Sequence, residues 1–285
     1  MKPAPFAYYA PRTVDEVIEH LGAAAREDGR ILAGGQSLIP AMAFRLARPA
    51  HLIDINGVAA LDRLDVEGDI LAIGALVRHA AFHRPVVEGP LGKLLSELSR
   101  HIAHYPIRLR GTFCGSLANA DPASEWCLAA AVLDAQLVIM SPRGERCVTA
   151  GDFFKGIMTT ALHEDELLTT ARLPMLPADM RVGFVEFSRR AGDYALAMTL
   201  ATYRIIDGLI AAPRVGIGGA EALPRRIQAA EAVLAGQPPS DELFRAAADA
   251  AARAIDPLED IQADADYRRD LVRAVTRRAL ERAAR

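Results

Sequence analysis

Apolar positions along the chain follow two rhythms, and the places where the rhythm changes mark the predicted elements. Thr13-Val14-Asp15-Glu16 has the form of a capping box, and Val17, Ile18 and Leu21 follow at helical spacing, which predicts a helix over residues 13–25. Ile31-Leu32-Ala33 reads as a short apolar strand that runs directly into Gly34-Gly35-Gln36-Ser37. Leu38 to Leu46 then reads as a helix with Pro40 in its first turn. Strands are predicted over 52–55 and, after an Asp/Gly turn, over 70–74. Leu94, Leu95 and Leu98 share one face of a helix over 91–103. Residues 126–135 are apolar enough for a buried helix. Residues 136–140 and 146–149 form a strand pair around Ser141-Pro142-Arg143-Gly144, and 166–173 is a further strand closed by Pro174.

Pro174-Met175-Leu176-Pro177 reads as a linker, after which the texture changes. A strand is expected over 182–188, and strands over 201–206 and 209–217 flank Asp207-Gly208, a strong hairpin signal. From Pro224 to Arg285 the chain is rich in Ala, Arg and Glu and reads as helical, with breaks at Gly236-Gln237-Pro238-Pro239 and near Pro257. The fold class is α+β. Residues 1–175 are expected to form one domain, with subdomains of about 1–56 and 57–175, and 178–285 a smaller domain of sheet plus helices.

One stretch fits neither rhythm. Arg108 to Glu125 packs small residues, hydroxyls, an amide and two acids behind a basic start, and reads as a loop. Gly111 and Gly115 allow close backbone approach, and Thr112 and Ser116 add hydroxyl donors, a composition that suits a cradle for an anion such as phosphate. Gly34-Gly35-Gln36-Ser37 is a second run of the same kind, placed between a strand and a helix where free N–H groups converge. Two such cradles suit a dinucleotide whose pyrophosphate lies between them.

Composition narrows the choices. The 285 residues are 51% hydrophobic and 24% charged, with a net charge of -3 and the two signs interspersed, so no nucleic-acid surface is indicated. No apolar run approaches the roughly 18 residues of a membrane span, and no secretory signal is evident, which makes the cytoplasm the expected location. Cys114, Cys127 and Cys147 form no CxxC pair, which argues against a disulfide framework, a zinc site or an iron–sulfur cluster held by this chain alone. His101 and His104 are spaced for one helix face but lack a third metal ligand. The GxGxxG spacing is missing, no Gly-Lys-Ser/Thr occurs, and neither Ser37 nor Ser116 lies in GxSxG, so a Rossmann loop, NTP hydrolysis and serine hydrolysis find no support. The acid-rich run Asp256 to Asp266 lacks the EF-hand glycine and spacing.

Three motifs in order then carry a resemblance. Leu32-Ala33-Gly34-Gly35-Gln36-Ser37-Leu38-Ile39-Pro40 is the first, and Arg110-Gly111-Thr112 with Gly115 through Glu125 is the second. With Arg189-Arg190-Ala191-Gly192-Asp193-Tyr194-Ala195 as the third, the chain resembles the FAD-binding medium subunit of molybdenum hydroxylases, over nearly its whole length. That family includes the carbon monoxide dehydrogenase flavoprotein and the flavin domain of xanthine dehydrogenase. The resemblance implies a PCMH-type (vanillyl-alcohol-oxidase-like) two-subdomain FAD fold followed by the family's C-terminal flavoprotein domain.

It also implies roles. Ile31, Leu32, Ala33, Gly34, Gly35, Gln36, Ser37 and Leu38 would occupy the first FAD loop, and Thr112, Phe113, Cys114, Gly115 and Ser116 the second, around the pyrophosphate. Ile102, Glu125 and Leu168 fall at further cofactor-lining positions, and Tyr194 where the family has a residue beside the isoalloxazine ring. Cys114 departs from the pattern, since the family usually has glycine there; its side chain either points away from the phosphates or narrows the cradle. Glu186, Phe187 and Ser188 stand where the family often has a lysine, so no lysine contact is carried over.

The implied activity is electron transfer through non-covalent FAD, with no catalytic acid or base on this chain. The molybdenum cofactor is expected on a large molybdopterin-binding subunit and the 2Fe-2S clusters on a small subunit. The expected assembly is a dimer of heterotrimers, a heterohexamer, with no nucleic-acid partner. A stand-alone FAD-dependent oxidoreductase of the vanillyl-alcohol-oxidase type and a cofactor-free scaffold are the competing readings.

Overall fold

The computed structural model describes residues 2–285. The chain begins with β1 (Ala7–Tyr9), α1 (Val14–Ala24), β2 (Gly29–Leu32), α2 (Leu38–Ala43) and β3 (His51–Asp54), whose strands form a parallel sheet in the order β1-β3-β2. The capping box of α1 is complete: Glu16 N–H donates to Thr13 Oγ1 at 3.2 Å, and Thr13 N–H donates back to Glu16 Oε2 at 3.3 Å. Val17, Ile18 and Leu21 make its buried face. Helix α2 stops short of the expected Leu46, because the backbone turns left-handed at Arg45 (φ 59°). Phe44 and Leu46 are left exposed, so their apolarity does not signal burial in a helix.

The middle of the chain builds a second, antiparallel sheet. Its elements are β4 (Leu64–Glu67), β5 (Ile70–Gly74), α3 (Gly89–His101), α4 (Tyr105–Arg108), α5 (Phe113–Asn119), α6 (Glu125–Val132), β6 (Gln136–Ser141), β7 (Gly144–Thr149), α7 (Ala150–Phe153), a ribbon of β8 (Phe154–Gly156) with β9 (Thr159–Thr160), and β10 (Leu167–Pro174). The strand order is β4-β5-β10-β6-β7. The expectation that 108–125 is a loop is corrected here, since α5 occupies its centre. Thr112 is the N-cap: its hydroxyl accepts from Gly115 N–H at 3.0 Å, so the glycine and hydroxyls belong to a helix start. Phe113 and Leu117 are one helical turn apart and both fully buried. Gly115 and Ser116 between them masked that period. Helix α6 is buried all round, and Trp126 packs against Phe82 and Phe113 with ring centroids 5.1 and 4.8 Å away.

The last part of the chain is β11 (Arg181–Phe187), β12 (Ala197–Ile206), β13 (Leu209–Gly218), β14 (Arg225–Arg226), α8 (Gln228–Leu234), α9 (Asp241–Ala254) and α10 (Ala265–Ala284), with the antiparallel order β11-β12-β13-β14. The Asp207-Gly208 hairpin forms, both residues taking the positive φ that its turn type needs (51° and 78°). Strand β12 begins earlier than expected because Ala197 to Leu200 are buried on both faces, which erases alternation. One face of this sheet carries α10, so close that a side chain on Gly183 would put its Cβ 2.0 Å from the Ala279 carbonyl. The other face contributes Phe184, Met198 and Leu200 to the core that surrounds α6. Strand β11 therefore meets the middle sheet's helices, and this contact brings the third sequence motif toward the second.

Candidate functional site

The first glycine run ends β2 and opens α2. Its residues Leu32, Gly34, Gly35 and Gln36, with Asn56 and Arg110, line a cleft of about 380 Å³. Gly35 has φ 71°, where a side chain would be strained. Gln36 Nε2 donates to the Gly34 carbonyl at 2.9 Å and braces the turn. Among the described residues, the N–H groups of Gly34, Gly35, Gln36 and Ser37 find no protein acceptor, so four donors are free beside the cleft. Ser37 also makes no side-chain capping bond. Of the sequence-predicted residues of this run, Ile31, Ser37 and Leu38 sit in the loop and its flanks without lining the cleft.

The second run lies against the first through backbone alone. A Cβ on Gly34 would fall 2.3 Å from the Arg110 carbonyl and 2.6 Å from Gly111 Cα, so only glycine permits the approach. Arg78 spans the junction, donating from Nη1 to the Arg110 carbonyl and from Nη2 to Asn56 Oδ1. Asn56 in turn donates to the Ala33 carbonyl at 2.8 Å. Burial works against ionisation of Asp54, yet hydrogen bonds from Tyr8 and Asn56 and the charge of Arg78 outweigh it and hold its carboxyl below the usual range. Burial and the neighbouring Arg110 both lower the proton affinity of Arg78. Two guanidinium groups at this junction make it a favourable place for an anion.

Beneath the second run is a buried floor. Trp126 Nε1–H donates to His79 Nδ1 at 2.9 Å, which places the ring proton of His79 on Nε2, and a Cβ on Gly111 would lie 2.6 Å from that nitrogen. Burial, helped by Arg78 and Arg108, pushes His79 down to about 3, so it is neutral at physiological pH. Phe113 is fully buried in the same aromatic cluster, and Cys114 Sγ donates to the Ile73 carbonyl at 3.4 Å. Both side chains therefore face the core, and only their backbones border the cradle. The Cys114 thiol, pushed up to about 12 by burial, is unreactive. Removing the Thr112 cap should have a modest effect: Thr112→Ala is expected to cost about 1 kcal/mol, a fall of a few degrees in the melting temperature measured by calorimetry.

The third motif packs on the residue that precedes α4. Gly192 (φ 85°) sits against the His104 ring, where a Cβ would lie 2.5 Å from Cε1, and the turn it allows carries Tyr194. Tyr194 is 67% exposed, and its hydroxyl's pKa is raised by partial burial and by Asp121 and Glu125 nearby. Glu125, at the start of α6, is buried. Ile102 is buried at the end of α3, its carbonyl accepting from Arg108 Nη1 at 2.7 Å. Leu168 is buried in the middle sheet's core opposite Ile139 and does not line the cleft. His101 and His104 face different partners, Glu186 and Gly192. Among the described residues, no cluster suited to a metal ion occurs, and no helix is long and apolar enough to cross a membrane.

Sequence reasoning missed Asp54, Asn56, Arg78 and His79. Asp54 ends a strand, and its Oδ1 accepts from Asn56 N–H at 2.9 Å, a local Asx pattern that was there to be read. Nothing in the sequence marks Arg78, whose role depends on two segments distant in the chain.

The arrangement has close counterparts. The family described as FAD binding domain in molybdopterin dehydrogenase matches residues 4–176, and that described as CO dehydrogenase flavoprotein C-terminal domain matches residues 183–283. The nicotine 6-hydroxylase medium subunit of Paenarthrobacter nicotinovorans is 38% identical over 281 residues, covering 98% of both chains. A structure of carbon monoxide dehydrogenase from Hydrogenophaga pseudoflava, which lacks the Mo-pyranopterin moiety of the molybdenum cofactor, superposes with a TM-score of 0.95 at 35% identity. That match covers 100% of this chain and 99% of the other. Quinoline 2-oxidoreductase from Pseudomonas putida 86 superposes with a TM-score of 0.92 at 36% identity, with 100% and 99% covered.

Proposed function

The chain belongs to the FAD-binding medium subunits of the molybdenum hydroxylases, and from that membership we propose that it relays electrons from 2Fe-2S clusters on a small partner subunit to an external acceptor. It is the flavin subunit of an oxidoreductase complex. The large partner carries the molybdenum cofactor and the substrate site, the assembly is a dimer of heterotrimers, and it works in the cytoplasm. This division of labour explains why the chain needs no general acid or base of its own.

The residues fit the cofactor. The observation that carries the reading is the packing of Gly34 on Arg110-Gly111, which joins two donor-bearing loops into one cradle. The free N–H groups from Gly34 to Ser37 would hold one side of the FAD pyrophosphate. Thr112, Phe113, Cys114, Gly115 and Ser116 would form the other side; the N–H groups of Phe113, Gly115 and Ser116 are already bonded to the Val77 carbonyl, Thr112 Oγ1 and the Thr112 carbonyl, which leaves the Cys114 N–H and the Ser116 hydroxyl as its donors. Ile31, Leu32, Ala33 and Leu38 shape the first loop, Ile102, Glu125 and Leu168 would support the cofactor's surroundings, and Tyr194 would border the isoalloxazine ring. Bound FAD supplies two-electron acceptance with one-electron steps, and the protein supplies orientation and electrostatics.

A cradle for a pyrophosphate predicts discrimination between flavins. Calorimetric titration of the flavin-free full chain should show FAD binding at least about tenfold tighter than FMN, which has no second phosphate to reach the other loop. Equal affinities would contradict the assignment of the two loops.

A further inference from the structure

Two kinds of contact hold the loops of the cradle, and they do different things. The packing of Gly34 on the Arg110 carbonyl and Gly111 Cα is a van der Waals wall, which sets how closely the loops approach. A wall resists compression and does little against separation. Among the described residues the two loops share no direct hydrogen bond, and the bonds that link them run through Arg78 and Asn56.

Arg78 is fixed at its base. The Val77 carbonyl accepts from Phe113 N–H at 3.0 Å and His79 N–H donates to the Gly111 carbonyl at 3.0 Å, so residue 78 forms an antiparallel bridge with Thr112 and is tied to the second loop. Its backbone is extended (φ -75°, ψ 150°), and its side chain reaches to the residues that follow β3. At the tip, Nη1 donates to the Arg110 carbonyl and Nη2 to Asn56 Oδ1 at 2.5 Å. Asn56 is itself fixed. Its N–H and Nδ2 both donate to Asp54 Oδ1, at 2.9 and 2.6 Å, and Nδ2 also donates to the Ala33 carbonyl at 2.8 Å. One line of donors and acceptors therefore runs from Arg110 through Arg78 and Asn56 to Ala33, from the second loop to the first. Asn56 and Arg110 line the cleft, and Arg78 does not. The Arg78 guanidinium acts through its neighbours and not on what the cleft holds.

Resting on the reading of the two loops as the two sides of a pyrophosphate cradle, we propose that Arg78 is a positioning residue that fixes the width of that cradle and so selects a flavin carrying two phosphates. The planar guanidinium fork suits this task, because its two ends reach acceptors on two different segments at once. A lysine here keeps the charge and loses the fork. Without the fork the glycine wall remains and the loops keep their fold, but their donors no longer stand a fixed distance apart.

The test uses the flavin-free full chain as wild type, Arg78→Lys, Arg78→Met, Asn56→Ala and the double variant of Arg78→Met with Asn56→Ala. Wild type and both Arg78 variants are titrated calorimetrically with FAD and with FMN. Both variants should bind FAD about tenfold or more weakly than the wild type, while FMN, whose single phosphate needs one loop, should change by less than about twofold. FAD affinity kept in Arg78→Lys and lost in Arg78→Met would show that the charge alone matters, and overturns the proposal. An equal loss for FAD and FMN, the mark of general destabilisation, overturns it too, as does no loss in either variant. Denaturant unfolding gives a readout that needs no flavin. The unfolding midpoint of the double variant should fall by less than the sum of the two single falls, because Arg78→Met and Asn56→Ala break the same bond. Additive falls overturn the bridge. If Arg78→Met does not fold, Arg78→Lys carries both comparisons. A wild type that takes up no FAD would sink the functional reading, while the unfolding cycle would still decide the bridge.

Discussion

Gly34→Ala should empty the flavin site of this protein while leaving most of the fold intact. The added Cβ would meet the Arg110 carbonyl at 2.3 Å and Gly111 Cα at 2.6 Å, and neither is the end of a flexible side chain that could swing aside. The two loops must separate. That strains the Arg78 bridge to Asn56 and Arg110 and pulls apart the donors on the two sides of the cradle. Overpacking of this kind costs about 1–3 kcal/mol, and because the strain falls on the cradle, FAD affinity should drop by about a hundredfold. Gly151→Ala is the control: its nearest heavy atom, Thr149 Oγ1, is 3.9 Å away, and FAD content should not change. Flavin absorbance of the purified variants reads the difference, and full occupancy in Gly34→Ala would show that the loops are not pressed together.

Trp126→Ala should be the most destabilising single change near the site. The indole is fully buried between Phe82 and Phe113, and truncation opens a large cavity worth about 3–5 kcal/mol. It also strips His79 Nδ1 of its donor, a buried acceptor whose loss adds about 1–3 kcal/mol. Denaturant unfolding should separate the two contributions through Trp126→Phe, which keeps most of the volume and removes the N–H. If Trp126→Phe matched the wild type, the fixed His79 tautomer would have no structural weight.

Much of this was legible in the sequence because it is local. The Thr13–Glu16 capping box, the Asp207-Gly208 turn and the strand–glycine–helix run at Ile31 to Leu38 each depend on neighbours a few residues apart. The stretch from Arg108 to Glu125 was legible in its chemistry and not in its form. Glycine and hydroxyl residues serve a helix N-cap as readily as a loop, and the one apolar pair that marks the helix, Phe113 and Leu117, is easily lost among them. The side chain of Cys114, left open between two orientations, points to the Ile73 carbonyl, because the helix turns that position toward the middle sheet. Arg78 and its contact with Asn56 were out of reach for another reason. They join segments far apart in the chain, and no spacing rule connects Arg78 with Asn56 or with the Arg110 carbonyl.

Purification of the native assembly through a tag on this chain asks whether it is the flavin-bearing part of a relay. FAD, molybdenum and iron are then measured in the same preparation. Stoichiometric FAD on this chain is expected, with molybdenum and iron on two co-purifying chains. An FAD-loaded chain that emerges alone, free of both metals, and oxidises an organic substrate by itself would contradict it.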